Sequence, residues 1–514
     1  MTLFTISNFL FWIAFAATAL TVFPFRLFAI RVGIVDHPDS FRKLQQKPVP
    51  VGGGVVIFLV MVAVMVGLVY QQESFCFRLG LSPKLLLPLI IVSPFIIVLG
   101  LIDDKLGVNG RTKLLFQIIA ASVIIGFAKY YSEVMYFGIE LNLHHLFYPL
   151  AVFWIIGMIN AINLLDGADG VAVTVGFYMS LATAGIAYFN GHWGIMLISL
   201  GLAGCLLGFF VHNRPPARVY LGDTGSMFIG MMLATLMLRA SVASSDRTIS
   251  ICGPFAIVLI PAVDSFFAVI RRVNSGRTIF SPDRGHIHHL LAAKFSSGYT
   301  VLLILSLLII PGCVAAVLGT YYQNDYIPVL TSLGILSIAI ITDLFGRREL
   351  FILLGRIKGH FRKLFDKQKY QSKNGEIYHI QGKGPWRQIW NRLIPILRNY
   401  PCRCLQLDIN IPCKHEDFFG EWENVTKKHL FEGKSIICSI PLIVDEKQIG
   451  TLRTFFNNQK DKRNELLGLT SKLSEICENS VKQYLDTGII DESLSVLPFQ
   501  EQKIVEIGKS KTAA

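Results

Sequence analysis

Residues 160–172 read NAINLLDGADGVA; they follow one apolar run, 146–159, and lead into another, 171–188. Two amides, Asn160 and Asn163, and two carboxylates, Asp166 and Asp169, therefore sit at the end of a segment apolar enough for a bilayer. Polar groups there are costly unless they face a wet cavity, which makes them functional candidates. Gly167 and Gly170 each follow an aspartate, a pattern suited to a tight turn where backbone approaches a ligand. The competing account is a loop of Asn and Asp caps, and the surrounding chain decides between the two.

Apolar runs long enough to approach or span a bilayer recur through the first 345 positions. About eleven can be read: 4–27, 51–70, 85–101, 114–128, 146–162, 171–188, 193–210, 226–238, 251–270, 301–318 and 327–341. The 514-residue chain is 52% hydrophobic, above globular norms. The expected fold is an all-α polytopic membrane protein with a small cytoplasmic α+β domain at its C-terminal end. Run 4–27 lacks a basic flank and a cleavage pattern, so it reads as a helix and not a signal peptide. Lys and Arg gather in alternate loops, 31–50, 105–113, 214–218 and 271–284, while 132–145, 190–192 and 323–326 carry none. The basic loops are therefore expected on the cytoplasmic side of a bacterial inner membrane, with the amino terminus outside and the carboxyl terminus inside. The membrane accounts for the net charge of +13, and nucleic acid is not an expected partner. Nine scattered cysteines give no disulfide framework.

Every unusual polar cluster falls in a loop of the basic parity. The first loop, 33–54, reads GIVDHPDSFRKLQQKPVPVGGG and brings Asp36, Arg42 and Lys43 to the membrane face. Residues 99–117, LGLIDDKLGVNGRTKLLFQ, place adjacent Asp103 and Asp104 at a helix end, where they repel each other unless cations compensate, with Lys113 opening the next helix. Residues 212–230, HNRPPARVYLGDTGSMFIG, set Asp223 among glycines at the start of an apolar run. Asp264 lies in PAVDS, ahead of a loop with Arg271, Arg272, Arg277, Arg284, His286, His288 and His289. With no cysteine near, those histidines suit phosphate oxygens better than zinc. Carboxylates Asp103, Asp104, Asp166 and Asp223 for a divalent cation, with Lys, Arg and His for anions, spell phosphoryl transfer. Hard oxygen ligands favour magnesium, with manganese as the alternative.

The set resembles the polyprenyl-phosphate N-acetylhexosamine-1-phosphate transferases, glycosyltransferase family 4. The resemblance rests on D-x-P with RK and P-x-P-x-x-GG (Asp36 to Gly53), DD with a downstream Lys, NxxNxxDGxDG, GDTGS and HIHH, and it covers about residues 1–345. Gln45, where many relatives have His, and an extra residue between Pro38 and Arg42 depart from the pattern. The resemblance implies transfer of a sugar-1-phosphate, GlcNAc-1-phosphate by the H-x-H-H form, from a UDP-sugar to undecaprenyl phosphate, which starts a cell-envelope glycan. It implies Asp223 as metal ligand with Asn163 or Asp166 beside it, and Asp103, Asp104, Lys113 and Asp166 as catalytic residues. Substrate binding falls to Arg42, Lys43, Asn160, Asn163, Asp169, Asp264, Arg284, His286, His288 and His289. UDP-N-acetylhexosamine, the lipid phosphate and the membrane are the expected partners, and a homodimer stays open. The alternatives are a phospho-MurNAc-pentapeptide transferase or a polytopic transporter; against the latter, the acids cluster at one face instead of the midplane.

Beyond residue 345, residues 346–370 alternate basic and apolar side chains at helical spacing and read as a helix lying on the membrane surface. A linker, 371–384, precedes the α+β domain at 385–485, with a hairpin turn at 445–447 and a helix over 464–485. The tail 486–514 is expected to be loosely ordered, and Cys402, Cys404, Cys413 and His415 fit no strong zinc spacing.

Overall fold

The computed structural model describes residues 3–36, 48–70, 83–127, 133–242, 248–274, 285–295, 297–342, 344, 376–381, 384–400, 402–411, 416–424, 436–445, 447–456 and 463–487. They divide into two compact units, with the boundary after Gln368. The segment 346–370 and most of the tail lie outside the described residues.

The first unit is helical: α1 Leu3–Val32, α2 Gly54–Tyr70, α3 Pro83–Leu106, α4 Gly110–Phe127, α5 Phe147–Leu165, α6 Val171–Phe189, α7 Trp193–Asn213, α8 Gly222–Ala240, α9 Cys252–Asn274, α10 Ile287–Lys294, α11 Gly298–Tyr321 and α12 Tyr326–Ile341. Each of the eleven apolar runs coincides with a helix, but among the described residues eight helices are long and apolar enough to cross a membrane. The shortfall has two causes. Helices α2 and α12 are apolar but shorter. Helix α8 is long enough but less apolar, with Asp223 in its first turn and Arg239 in its last; it is buried from Thr224 to Met237 and packs against α2, α3, α5, α6 and α7. Small residues let those neighbours approach it closely. A Cβ on Gly230 would lie 2.8 Å from the Met158 carbonyl of α5.

Short strands tie the loops. β1 Val35–Asp36 pairs with β2 Val49–Pro50, joining the two ends of the first basic loop. On the Lys- and Arg-free parity, β3 Glu133–Tyr136 and β4 Ile139–Asn142 form a hairpin whose turn residues, Phe137 and Gly138, both have positive φ, 51° and 74°. β5 Ile249–Ser250 pairs parallel to β3.

The second unit is α+β. Its antiparallel sheet has the order β6-β8-β7-β10-β9, with β6 Glu376–Gln381, β7 Cys402–Ile411, β8 Glu416–Asn424, β9 Ile436–Val444 and β10 Lys447–Phe456. The sheet thus begins inside the stretch expected to be linker, because EIYHIQ has an edge of β8 to pair with. Alternation along β7 and β10 puts Leu405, Leu407, Ile409, Leu452 and Phe456 on one buried face. Helices α13 Gly384–Arg398 and α14 Arg463–Thr487 contact this sheet, with Trp390, Leu393, Leu473 and Val481 among their buried side chains. Asp445, at φ 48°, makes the β9–β10 turn.

Candidate active site

Helix ends converge at one face of the first unit: the last turn of α3, the first turns of α4 and α8, and the end of α5 with the loop to α6. Asp103 and Asp223 share the Lys113 ammonium, which lies 2.5 Å from Asp223 Oδ2 and closer still to Asp103. Asn163 Nδ2 donates to the other Asp223 oxygen at 2.6 Å and to Ser226 Oγ at 2.9 Å. The Asp103 side chain is 6% exposed and Asp223 29%, so Asp223 is the more open of the two.

Asp104 has a different place from its neighbour. Its Oδ1 accepts the Asp223 N–H at 2.8 Å, and its Oδ2 accepts the Thr224 N–H at 3.2 Å and hydroxyl at 2.6 Å. A carboxylate on the unsatisfied N–H groups of a helix start is stabilised by them and by the helix dipole. Asp104 thereby pins α8 to α3 and sets where Asp223 points. Gly222 (φ 74°) allows it, since a Cβ there would lie 2.5 Å from Asp104 Oδ2.

Asp166 follows α5 and takes a hydrogen bond from the Gly222 backbone. Burial pushes its carboxyl well above the usual carboxylate range, and the carboxylates of Asp223, Asp104 and Asp169 push it the same way. Burial also raises the Asp169 carboxyl, against the Ala217 N–H that donates to it at 2.9 Å. Asn160 reaches Gln117 Oε1 at 2.8 Å, one turn back from Asn163.

The histidine turn joins the same face. Asp264, fully buried, accepts the Ile287 N–H at 3.0 Å and faces His286 Nδ1 at 2.9 Å. Both its oxygens are thus engaged by the start of α10, so Asp264 positions His286 instead of facing outward. Gly167 abuts the His288 ring, with room for no side chain between them. The DGxDG loop and the HIHH turn are therefore in contact. Arg42, Lys43 and Arg284 lie outside the described residues.

Sequence reasoning missed Asn213. Buried at the end of α7, it accepts the Gly170 N–H at 3.1 Å and donates to the Val219 carbonyl at 2.9 Å, which links the DGxDG loop to the GDTGS loop. A polar residue closing a long apolar run was the available signal. The glycines of PVPVGGG, residues 48–54, tie the first loop in as well. The Gly53 N–H donates to the Tyr220 carbonyl at 3.0 Å and the Gly54 N–H to the Leu221 carbonyl at 3.2 Å, stitching that loop to the approach to Asp223.

Asp103, Asp166, Asp223 and the Asn163 amide oxygen offer hard oxygen donors with a surplus of negative charge, which fits magnesium or manganese. No group of three His, Cys, Asp or Glu is already drawn into a cage among the described residues. The Lys113 ammonium lies between two of the carboxylates.

A family model described as glycosyl transferase family 4 matches residues 86–241. The chain is 35% identical over 301 residues to a Bacillus subtilis (strain 168) protein named "Probable undecaprenyl-phosphate N-acetylglucosaminyl 1-phosphate transferase", covering 57% of this chain and 80% of that one. It is 32% identical over 322 residues to a decaprenyl-phosphate N-acetylglucosaminephosphotransferase of Mycobacterium tuberculosis, covering 57% and 78%. It is 31% identical over 255 residues to a phospho-N-acetylmuramoyl-pentapeptide-transferase of Enterococcus hirae, covering 46% and 74%.

Proposed function

The chain belongs to glycosyl transferase family 4, and from that membership we propose that it transfers N-acetylhexosamine-1-phosphate, in our reading GlcNAc-1-phosphate, from a UDP-sugar to a polyprenyl phosphate. It is a multi-pass membrane protein. The single observation that carries the reading is the convergence of Asp103, Lys113, Asn163, Asp166 and Asp223 on one face of the bundle.

An oxygen of the lipid phosphate attacks the β-phosphorus of the UDP-sugar. The bond from that phosphorus to the bridging oxygen breaks, and UMP leaves with the electron pair. The sugar C1–O bond is untouched, so the anomeric configuration is kept. Asp103 orients the lipid phosphate and takes its proton where one is present. Lys113 moves from the carboxylate pair to the incoming diphosphate. We assign His286, held by Asp264, and His288, set against Gly167, to the sugar-phosphate side. A magnesium ion held by Asp223, Asp166 and Asn163 would neutralise the diphosphate and help the leaving group.

The basic parity of the site loops supports a cytoplasmic active site in a bacterial inner membrane. The names of the B. subtilis and M. tuberculosis relatives support a GlcNAc donor, as does the H-x-H-H spacing. The E. hirae relative keeps UDP-MurNAc-pentapeptide as the second donor to assay.

The test follows UMP release by purified protein with undecaprenyl phosphate, UDP-GlcNAc and magnesium. Turnover lost on chelation and in Asp223→Ala supports the reading. Turnover with UDP-MurNAc-pentapeptide alone would move the donor, and silence with every UDP-sugar would reject the transferase.

A further inference from the structure

The loop between α7 and α8 has a second side that the transfer reaction leaves unused. There a cavity of about 150 Å³ opens between the end of α7 and the start of α11. Arg214, Arg218, His212 and Tyr299 line it, with Pro215 and Val211 in its wall, and no acidic residue does. Both arginines are exposed, and among the described residues neither guanidinium has an ionic partner.

The cavity is built by a fixed backbone. The Arg218 N–H donates to the His212 carbonyl at 2.8 Å, and His212 Nε2 lies 2.9 Å from the Ala19 carbonyl of α1. Asn213 holds Val219 from within, and Ala217 is held by Asp169. Arg214 and Arg218 therefore leave the loop at set positions.

Its depth decides the ligand class. Two candidate spans meet here, one ending at Asn213 and the other beginning at Gly298, so the cavity lies at headgroup level. Val211, 41% exposed, continues the wall toward the hydrocarbon, and Tyr299, 53% exposed, stands at the interface. Two guanidiniums match the oxygens of a phosphate diester, and an apolar flank above them matches an acyl chain. A scatter of basic residues at a span end would serve orientation without any concavity.

We propose that this cavity is a binding site for the headgroup phosphate of an anionic glycerophospholipid, separate from the lipid phosphate that reacts. The assignment does not rest on the transferase reading.

The test is native mass spectrometry of the full chain taken from nanodiscs of equal phosphatidylcholine and phosphatidylglycerol. Wild type is expected to retain phosphatidylglycerol in preference, and Arg214→Gln/Arg218→Gln to lose about tenfold of that preference. The single variant Arg214→Gln, in an exposed loop, is expected to lose part of it. Unfolding midpoints in phosphatidylcholine, unchanged by the substitutions, identify folded variants. Equal retention by wild type and both folded variants would overturn the proposal. So would displacement of the phosphatidylglycerol by millimolar inorganic phosphate, which would make the ligand a free anion. Displacement by one equivalent of undecaprenyl phosphate would overturn it too, by making the cavity part of the acceptor site.

Discussion

Asp223 is the residue on which the others converge: Lys113 and Asn163 hold its oxygens, and Asp104 holds its N–H. Asp223→Ala is expected to lower UMP release by about 10²–10³-fold, the cost of removing one preorganised electrostatic group. Asp166 leads to a test of stability. Burial and neighbouring carboxylates raise its carboxyl, so the folded protein binds that proton more tightly than the unfolded chain does. The stability this supplies is complete below the unfolded value and is lost as pH rises through the folded one. Under chelation, wild type is therefore expected to lose stability relative to Asp166→Asn as pH climbs above the ordinary carboxylate range, and magnesium to close the gap. Unfolding midpoints across pH check this, and parallel curves would reject it. Asp264→Ala is expected to strand buried His286 and the Ile287 N–H at about 1–3 kcal/mol each, lowering both midpoint and turnover. Asp264→Asn, which keeps an acceptor, should recover part of the loss.

At the scale of elements, the site depends on how closely α2 and α3 approach α8. A Cβ on Gly100 of α3 would press on the Thr224 backbone, 2.6 Å from its nitrogen, and one on Gly54 of α2 would press on Gly225. Gly100→Ala is therefore expected to cost about 1–3 kcal/mol by overpacking and to reduce turnover by displacing the first turn of α8. Gly67→Ala, where a Cβ meets nothing within 4 Å, is the control and should leave both unchanged. Comparing the two variants by unfolding and UMP release separates close packing from the general effect of an added methyl. Gly100 could not be picked out of the sequence, because a glycine in an apolar run looks the same whether it faces lipid or a neighbouring backbone.

At the scale of the whole molecule, every described residue of the candidate active site lies in the first unit, and the sheet of the second contributes none of them. Removing the chain from residue 369 onward is accordingly expected to leave UMP release at the wild-type order of magnitude. A loss of turnover with the shortened protein still folded would assign the second unit a part in the reaction. The eleven apolar runs were all legible as helices, while the central place of α8 among five neighbouring helices was not. Hydropathy averages a helix over its length, whereas burial depends on which neighbours surround it.

The sequence by itself determined the helical membrane unit, the α+β unit behind it, the common parity of the polar loops and the residue types gathered there. These follow from local pattern: run length, the positions of Lys and Arg, and Asp beside Gly. Only the tertiary structure decided which side chain does what. Asp103 and Asp104 are adjacent and chemically identical, yet one meets Lys113 and the other caps α8. Asp264 turns from the site to hold His286, and Asn213 ties two loops together. Such roles are set by partners far away in the chain, and a pairing across 119 positions, as between Asp104 and Asp223, leaves no mark in local spacing.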